Sequence, residues 1–204
     1  RGHSGFAERV LGTVSSALPA HAHCPTIVVP LNEDEEGEEA PAPTMPIRRI
    51  VVGVDGSDSA KIALNHAIDQ ALLWEAELTA VVAVPIGAGA GILGWLPAAV
   101  DRESVLEDVK EGLNVTVDRA VEGKDITVRR HALDGSGAAL LSEFSSAVDL
   151  VVVGSRGRGG FAGMLLGSTS QQVLHHTACP VMVVPTRVQD EGLPPIGQGW
   201  RRRR

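Results

Sequence analysis

The feature that most constrains this chain is an internal repeat. Sliding the sequence on itself by 155 residues pairs Arg1 with Arg156 and Pro30 with Pro185 without a gap. Arg1-Gly2-His3-Ser4-Gly5-Phe6-Ala7 then lies over Arg156-Gly157-Arg158-Gly159-Gly160-Phe161-Ala162. Leu11-Gly12 meets Leu166-Gly167, Ser15 meets Ser170, and His21 meets His176. Cys24-Pro25 and Val28-Val29-Pro30 meet Cys179-Pro180 and Val183-Val184-Pro185. Self-similarity on this scale means two copies of one folding unit. Residues 1–30 therefore read as the end of a first copy, and the chain, which opens on Arg1 rather than Met, reads as a fragment or a processed product.

The residues between the copies differ in kind. Leu31 to Pro46 carries Glu33, Asp34, Glu35, Glu36, Glu38 and Glu39, then Pro41, Pro43 and Pro46, with no periodic apolar pattern. Mutual repulsion and proline predict an extended, solvated linker over 31–46. The segment 186–204 is rich in Gly and Pro and ends in Arg201-Arg202-Arg203-Arg204, which predicts a disordered tail.

The body, 47–185, alternates two periodicities. Apolar runs at Ile50–Val54, Leu78–Val84, Ile126–Ala132, Leu150–Val153 and Val181–Val184 predict five strands. Helical spacing falls between them. Ala60, Ala63, Leu64, Ala67, Ile68 and Ala71 mark a first helix, capped by Ser57 or Asp58. Leu106, Val109, Leu113 and Val117 mark a second, opened by Asp101 and weakened by Gly112. Ala138–Ser146 and Ser168–His175 supply two more. Strands alternating with helices predict an α/β fold, a doubly wound parallel sheet with helices on both faces. Right-handed crossovers place a ligand crevice at the carboxyl ends of its strands.

Charge and composition narrow the function. Net charge is −7 over 204 residues, which argues against a nucleic-acid surface, and Trp74, Trp95 and Trp200 stand too far apart to stack bases. Two cysteines, Cys24 and Cys179, make no disulfide framework, so a reduced cytoplasmic setting is expected. Leu78 to Val100 is uncharged over 23 residues. Pro85, Pro97 and four glycines interrupt it, and it reads as a buried strand running into a glycine-rich loop rather than a membrane span.

Chemistry gathers after the fourth strand. Gly154-Ser155-Arg156-Gly157-Arg158-Gly159-Gly160 is followed by Gly167-Ser168-Thr169-Ser170 at a helix start. Glycine lets a backbone approach a ligand closely, and a helix N-terminus offers N–H groups and a positive dipole end. Hydroxyls of Ser168, Thr169 and Ser170 and the charge of Arg156 or Arg158 complete an anion site suited to phosphate. A P-loop is excluded, because no Gly-x4-Gly-Lys-Ser/Thr occurs. Gly157-x-Gly159-x-x-Ala162 fits a dinucleotide fingerprint only formally, since it follows the fourth strand and no acid follows about 20 residues later. His21-x-His23-Cys24 and His175-His176-x2-Cys179 have the look of metal ligands, but each falls at a helix end, where histidine complements the dipole, and neither supplies four ligands. Gly135-Ser136-Gly137 lacks a nucleophile elbow and reads as a helix start.

Gly154-x2-Gly157-x9-Gly167-Ser168, with Val54-Asp55-Gly56-Ser57 at the first strand end and Cys179-Pro180-Val181 before the last, resembles the ATP-binding signature of the universal stress protein family. The resemblance covers 47–185 and makes 1–30 the remnant of a first domain in a tandem member. It implies strand order 3-2-1-4-5 and ATP, with Mg²⁺, between strands one and four. Gly154, Gly157, Gly167, Ser168 and Thr169 would hold phosphates and ribose, with Arg156 and Ser170 beside them. Asp55 would meet the nucleoside, and Val84 would meet adenine through its backbone. It implies an ATP-binding regulator of the stress response rather than an enzyme, with at most slow hydrolysis. The alternatives are a dimerising scaffold independent of nucleotide, or a cyclic AMP-binding protein. The family's dimerisation through last strands implies a homodimer or, within this chain, a pseudo-dimer in which Thr26–Val29 pairs with Val181–Val184. The first copy lacks counterparts of Asp55, Val84 and Gly154, and no nucleotide is expected there.

Overall fold

The computed structural model describes residues 12–30, 46–85, 102–157 and 166–186. Residues 1–11, 31–45, 86–101, 158–165 and 187–204 lie outside the described residues, and with them nearly all of the expected linker over 31–46, the expected glycine-rich loop and tail, Arg158, Asp101 and the terminal arginines.

The elements are α1 (Thr13–His21), β1 (Thr26–Val28), β2 (Arg49–Gly53), α2 (Asp58–Trp74), β3 (Glu77–Val84), α3 (Arg102–Val121), β4 (Val128–Asp134), α4 (Gly137–Phe144), β5 (Leu150–Gly154), α5 (Ser168–His176) and β6 (Val181–Val184). They build one six-stranded sheet in the order β1-β6-β5-β2-β3-β4. The five strands from β2 to β6 are parallel, in the expected 3-2-1-4-5 order counted from β2. The sixth, β1, is antiparallel to β6.

Alternation along the central strands makes two cores. Ile50, Val52, Leu78, Leu150 and Val152 face α2 and α3 with Leu64, Ile68, Leu113 and Val117. Val51, Val81, Val151 and Val153 face α4 and α5 with Leu141 and Val173. Each fully buried aliphatic side chain contributes about 1.5–3 kcal/mol, so a sheet covered on both faces outweighs any local preference. Asp149 pins the register at the opposite end from the crevice, its Oδ2 accepting from the backbone N–H of Arg48 (2.9 Å) and Arg49 (2.8 Å).

β4 starts and ends two residues later than its apolar run predicts. Its bounds follow from pairing with β3, from Leu78↔Val128 to Val84↔Asp134, and the ladder carries the polar stretch Arg129-Arg130-His131 with it. Arg129 pairs with Glu77 across that ladder at 2.7 Å, and Arg130 reaches Asp118 of α3 at 2.6 Å.

The strand β1 pairs with β6, as the family resemblance implies. Its register is Thr26↔Val183, Ile27↔Met182 and Val28↔Val181. Ile27 and Met182 are themselves counterparts in the repeat, so the pairing is a local two-fold about those two residues. Ala20 and Val28 pack onto the α4–α5 core, which seats the remnant on the body. With β1 in place, the outer edge of β6 is occupied.

Candidate functional site

The carboxyl ends of β2, β3 and β5 open into a cleft of about 910 Å³. Four helices begin or pass there, α4 among them at Gly137. α2 starts after β2, and α5 starts after the loop that leaves β5, while α3 runs along the outer wall through Asp108, Val109, Gly112, Leu113 and Thr116.

The β2 loop is held tightly. Asp55 Oδ1 accepts from the Ser57 N–H (2.9 Å) and hydroxyl (2.6 Å), and Ser57 Oγ accepts from the Ala60 N–H at 3.2 Å as the N-cap of α2. The turn passes through Gly56 at φ +82°, a conformation open to glycine at little cost. Asp55 Oδ2 is thereby aimed across the crevice. A Cβ placed on Gly157 would lie 2.7 Å from it, so the loops after β2 and β5 touch here.

On the β5 side the glycines separate into different jobs. A Cβ on Gly154 would lie 2.4 Å from Ser59 Oγ and 2.9 Å from Ser59 backbone atoms, so Gly154 lets α2 sit against the strand. The Arg156 N–H reaches Ser59 Oγ at 3.3 Å. Gly167 is the N-cap of α5, and its N–H donates to the Ser155 carbonyl at 2.7 Å. A Cβ there would meet nothing closer than 3.4 Å, so packing alone does not require this glycine. The N–H groups of Ser168, Thr169 and Ser170 have no acceptor within the helix by its geometry, and no side chain caps α5. The Ser170 hydroxyl is turned inward and donates to the Gly154 carbonyl at 2.6 Å, tying α5 to β5. Its backbone, not its hydroxyl, belongs to the helix mouth. A second uncapped N-terminus, that of α4, reaches the cleft at Gly137, beside Thr169.

The apolar end is defined by strand lengths. β2 stops pairing at Gly53↔Val81, and β3 continues three residues further to Val84. Along an extended strand, alternate residues turn their N–H and C=O to the same side. The Val81 carbonyl faces β2, accepting the Val54 N–H at 2.8 Å, and the Val84 carbonyl faces β4, accepting the Gly135 N–H at 3.0 Å. Ala83, two residues past Val81, therefore presents its N–H and C=O to the open side where β2 has ended. Val84 lines the cleft, but the backbone edge of β3 that opens into it is Ala83's.

All nine residues singled out from the sequence line this one cleft: Asp55, Val84, Gly154, Arg156, Gly157, Gly167, Ser168, Thr169 and Ser170. The α3 wall and Ala83 were not among them. Among the described lining residues Arg156 is the single base, against Asp55 and Asp108. Among the described residues no three His, Cys, Asp or Glu side chains gather to hold a metal, so the histidine–cysteine clusters form no such set there. No described helix is long and apolar enough to cross a membrane.

Residues 46–185 match the model of the universal stress protein family. This chain belongs to that family. Universal stress protein Rv2623 of Mycobacterium tuberculosis (strain ATCC 25618 / H37Rv) is 34% identical over 185 residues, 89% of this chain and 58% of the relative. The chain thus spans little more than half the length of the curated relatives it matches. Among solved structures, universal stress protein UspA from Lactobacillus plantarum superposes with a TM-score of 0.56 at 22% identity, over 69% of this chain and 99% of that one, a likeness of fold. A universal stress protein crystallised in complex with cAMP gives a TM-score of 0.50 at 25% identity, over 70% of this chain and 99% of that one.

Proposed function

We propose that this universal stress protein binds ATP in the β2/β5 cleft and acts as a nucleotide-responsive regulator. The observation that carries the reading is the cleft's polarity. One end is an aliphatic wall with the open backbone edge of Ala83, and the other is the Gly154–Gly157 turn facing the uncapped start of α5. Adenine suits the first end through the Ala83 N–H and C=O, and phosphates suit the second through helix N–H groups. Asp55 Oδ2 lies between them, positioned for ribose hydroxyls. Mg²⁺ would be held by phosphate oxygens and water, since the described carboxylates of the cleft, Asp55 and Asp108, stand on different elements and Asp55 Oδ1 serves Ser57. The residues serve to bind and orient rather than to turn ATP over, and hydrolysis is expected to be slow at most. In this reading 47–185 is the complete nucleotide-binding domain, 1–30 a companion without a site of its own, 31–46 the linker and 186–204 a tail.

Calorimetric titration of ATP–Mg²⁺ tests this, with Gly167→Val alongside. The added side chain would press on the Ser155–Gly157 backbone beside the start of α5, and saturable one-site binding should disappear while the thermal melt stays cooperative.

A cyclic AMP reading has an observation of its own in the related protein crystallised with cAMP. Competition decides between them: cyclic AMP displacing ATP at lower concentration than ATP itself would transfer the assignment. For a nucleotide-independent dimerising scaffold, the β6 edge is already paired with β1. A homodimer through β6 would first have to displace β1. Partner capture or dimerisation unchanged by Gly167→Val would support the scaffold.

A further inference from the structure

A second, smaller pocket adjoins the nucleotide cleft and has the opposite charge character. It measures about 180 Å³, room for a small anion with a few waters at roughly 30 Å³ per water. Its walls are the end of α1 with His21 and His23, the Ser155-Arg156 turn after β5, and Pro185 and Thr186 after β6. No carboxylate lines it among the described residues, whereas the main cleft sets Asp55 and Asp108 against Arg156. Arg156 is common to both cavities. Its backbone is fixed, with the Ser155 N–H donating to the Val184 carbonyl at the end of β6 (2.8 Å) and its own N–H to Ser59 Oγ. Its long side chain is exposed and can serve either cavity. The histidines are held in place by the β1–β6 pairing, which seats α1 on the body. His23 has Ala178 as its repeat counterpart, so that imidazole is particular to the first copy.

We propose that this pocket receives the terminal phosphates of a nucleoside polyphosphate, with His21, His23 and Arg156 as donors, so that the α1–β1 segment sets selectivity by phosphate-chain length. The inference rests on the nucleotide reading of the main cleft. Imidazole and guanidinium donors bind phosphate oxygens through charge-assisted hydrogen bonds, and in this placement only the phosphates farthest from the nucleoside pass Arg156 to meet the histidines. A purely structural role for His21 exists, since a histidine in the last turn complements the dipole of α1. That role would register in the melting temperature and not in the ratio of two ligand affinities.

The experiment is calorimetric titration of the whole chain with ATP and, separately, with AMP, both with Mg²⁺, in the wild type and in the double variant His21→Gln/His23→Gln. The wild type should bind ATP more tightly than AMP. The double variant should lose about tenfold in ATP affinity, keep its AMP affinity and melt within a degree or so of the wild type. Equal affinities in the wild type, or a double variant with an unchanged ATP-to-AMP ratio, overturn the inference and leave the nucleotide cleft standing. A wild type that binds neither ligand overturns the cleft reading itself, and this inference with it.

Discussion

The segment α1–β1 and the segment α5–β6 are the same piece of sequence in two surroundings. Both helices start at a glycine N-cap in the same extended conformation, Gly12 at ψ 155° and Gly167 at ψ 155°, without a side-chain cap. Their first turns close alike, Ser16 N–H to the Gly12 carbonyl and Gln171 N–H to the Gly167 carbonyl, both at 3.0 Å. Their last turns close on the counterparts Leu18 and Val173. Burial is where they part. Leu18 is 54% exposed and Val173 0%; Ile27 is 46% exposed and Met182 4%; Val29 is 50% exposed and Val184 0%. Local sequence therefore decides where the helix and strand begin and end, and the neighbouring β5 and α4 decide whether the pair has a core and a binding site.

The largest effect should come from putting a charge at one counterpart pair. Val173→Asp buries a carboxylate in the α4–α5 core and should cost more than about 4 kcal/mol, enough to unfold the body. Leu18→Asp at the exposed counterpart should stay within about 0.5 kcal/mol. Urea denaturation of both variants checks this, and similar losses would mean that α1 is as buried in solution as α5.

Glycines sharpen the comparison next, because Gly154 belongs to a strand for which the first segment has no described counterpart. Gly154→Ala drives a methyl into Ser59 backbone and should cost about 1–3 kcal/mol. Gly167→Ala meets ordinary contacts at a φ of −71°, but alanine is a poorer N-cap than glycine, which offsets the gain from a stiffer unfolded chain and should keep the change within about 1 kcal/mol. A clear loss in Gly154→Ala against a smaller change in Gly167→Ala is the expected result of the same denaturation series.

The two cysteines, also counterparts, give the smallest effect on stability and a large one on reactivity. Cys24 is exposed and Cys179 buried. Burial, with a smaller contribution from the Asp149 charge, pushes the Cys179 thiol up from 9.0 to about 11. Near neutral pH a two-unit shift leaves roughly a hundredfold less thiolate, so alkylation of the folded chain should mark Cys24 and spare Cys179. In the unfolded chain Cys179 ionises at its ordinary value. Its contribution to stability is therefore intact below about pH 9 and lost as pH rises toward 11. A Cys179→Ser chain followed by pH-dependent melts should lack that part of the alkaline decline.

Much of this architecture was legible because it rests on patterns that survive without coordinates. Apolar runs gave β2, β3, β5 and β6; the 155-residue repeat made Thr26–Val29 the counterpart of Val181–Val184, and the family resemblance implied that the two would pair. The glycine spacing pointed to one crevice. What sequence could not supply was direction and contact between distant segments. Ser170 reads as a phosphate hydroxyl until its bond to the Gly154 carbonyl is seen. Gly154 reads as a ligand glycine until Ser59, 95 residues earlier, is found against it. The α3 wall was invisible because Asp108, Gly112 and Thr116 look like the solvent face of an ordinary amphipathic helix. Ala83 rather than Val84 as the open backbone edge depends on where β2 stops, which no property of β3 reveals.

The most direct test of the account is one titration of ATP–Mg²⁺ into three chains: wild type, Gly167→Val and Gly12→Val. The two variants change counterpart positions, one in a cleft completed by β2 and β5 and one without them. One-site binding that survives Gly12→Val and vanishes in Gly167→Val is the predicted result. Binding lost in neither variant, or in both, would contradict the assignment of the nucleotide to the α5 mouth.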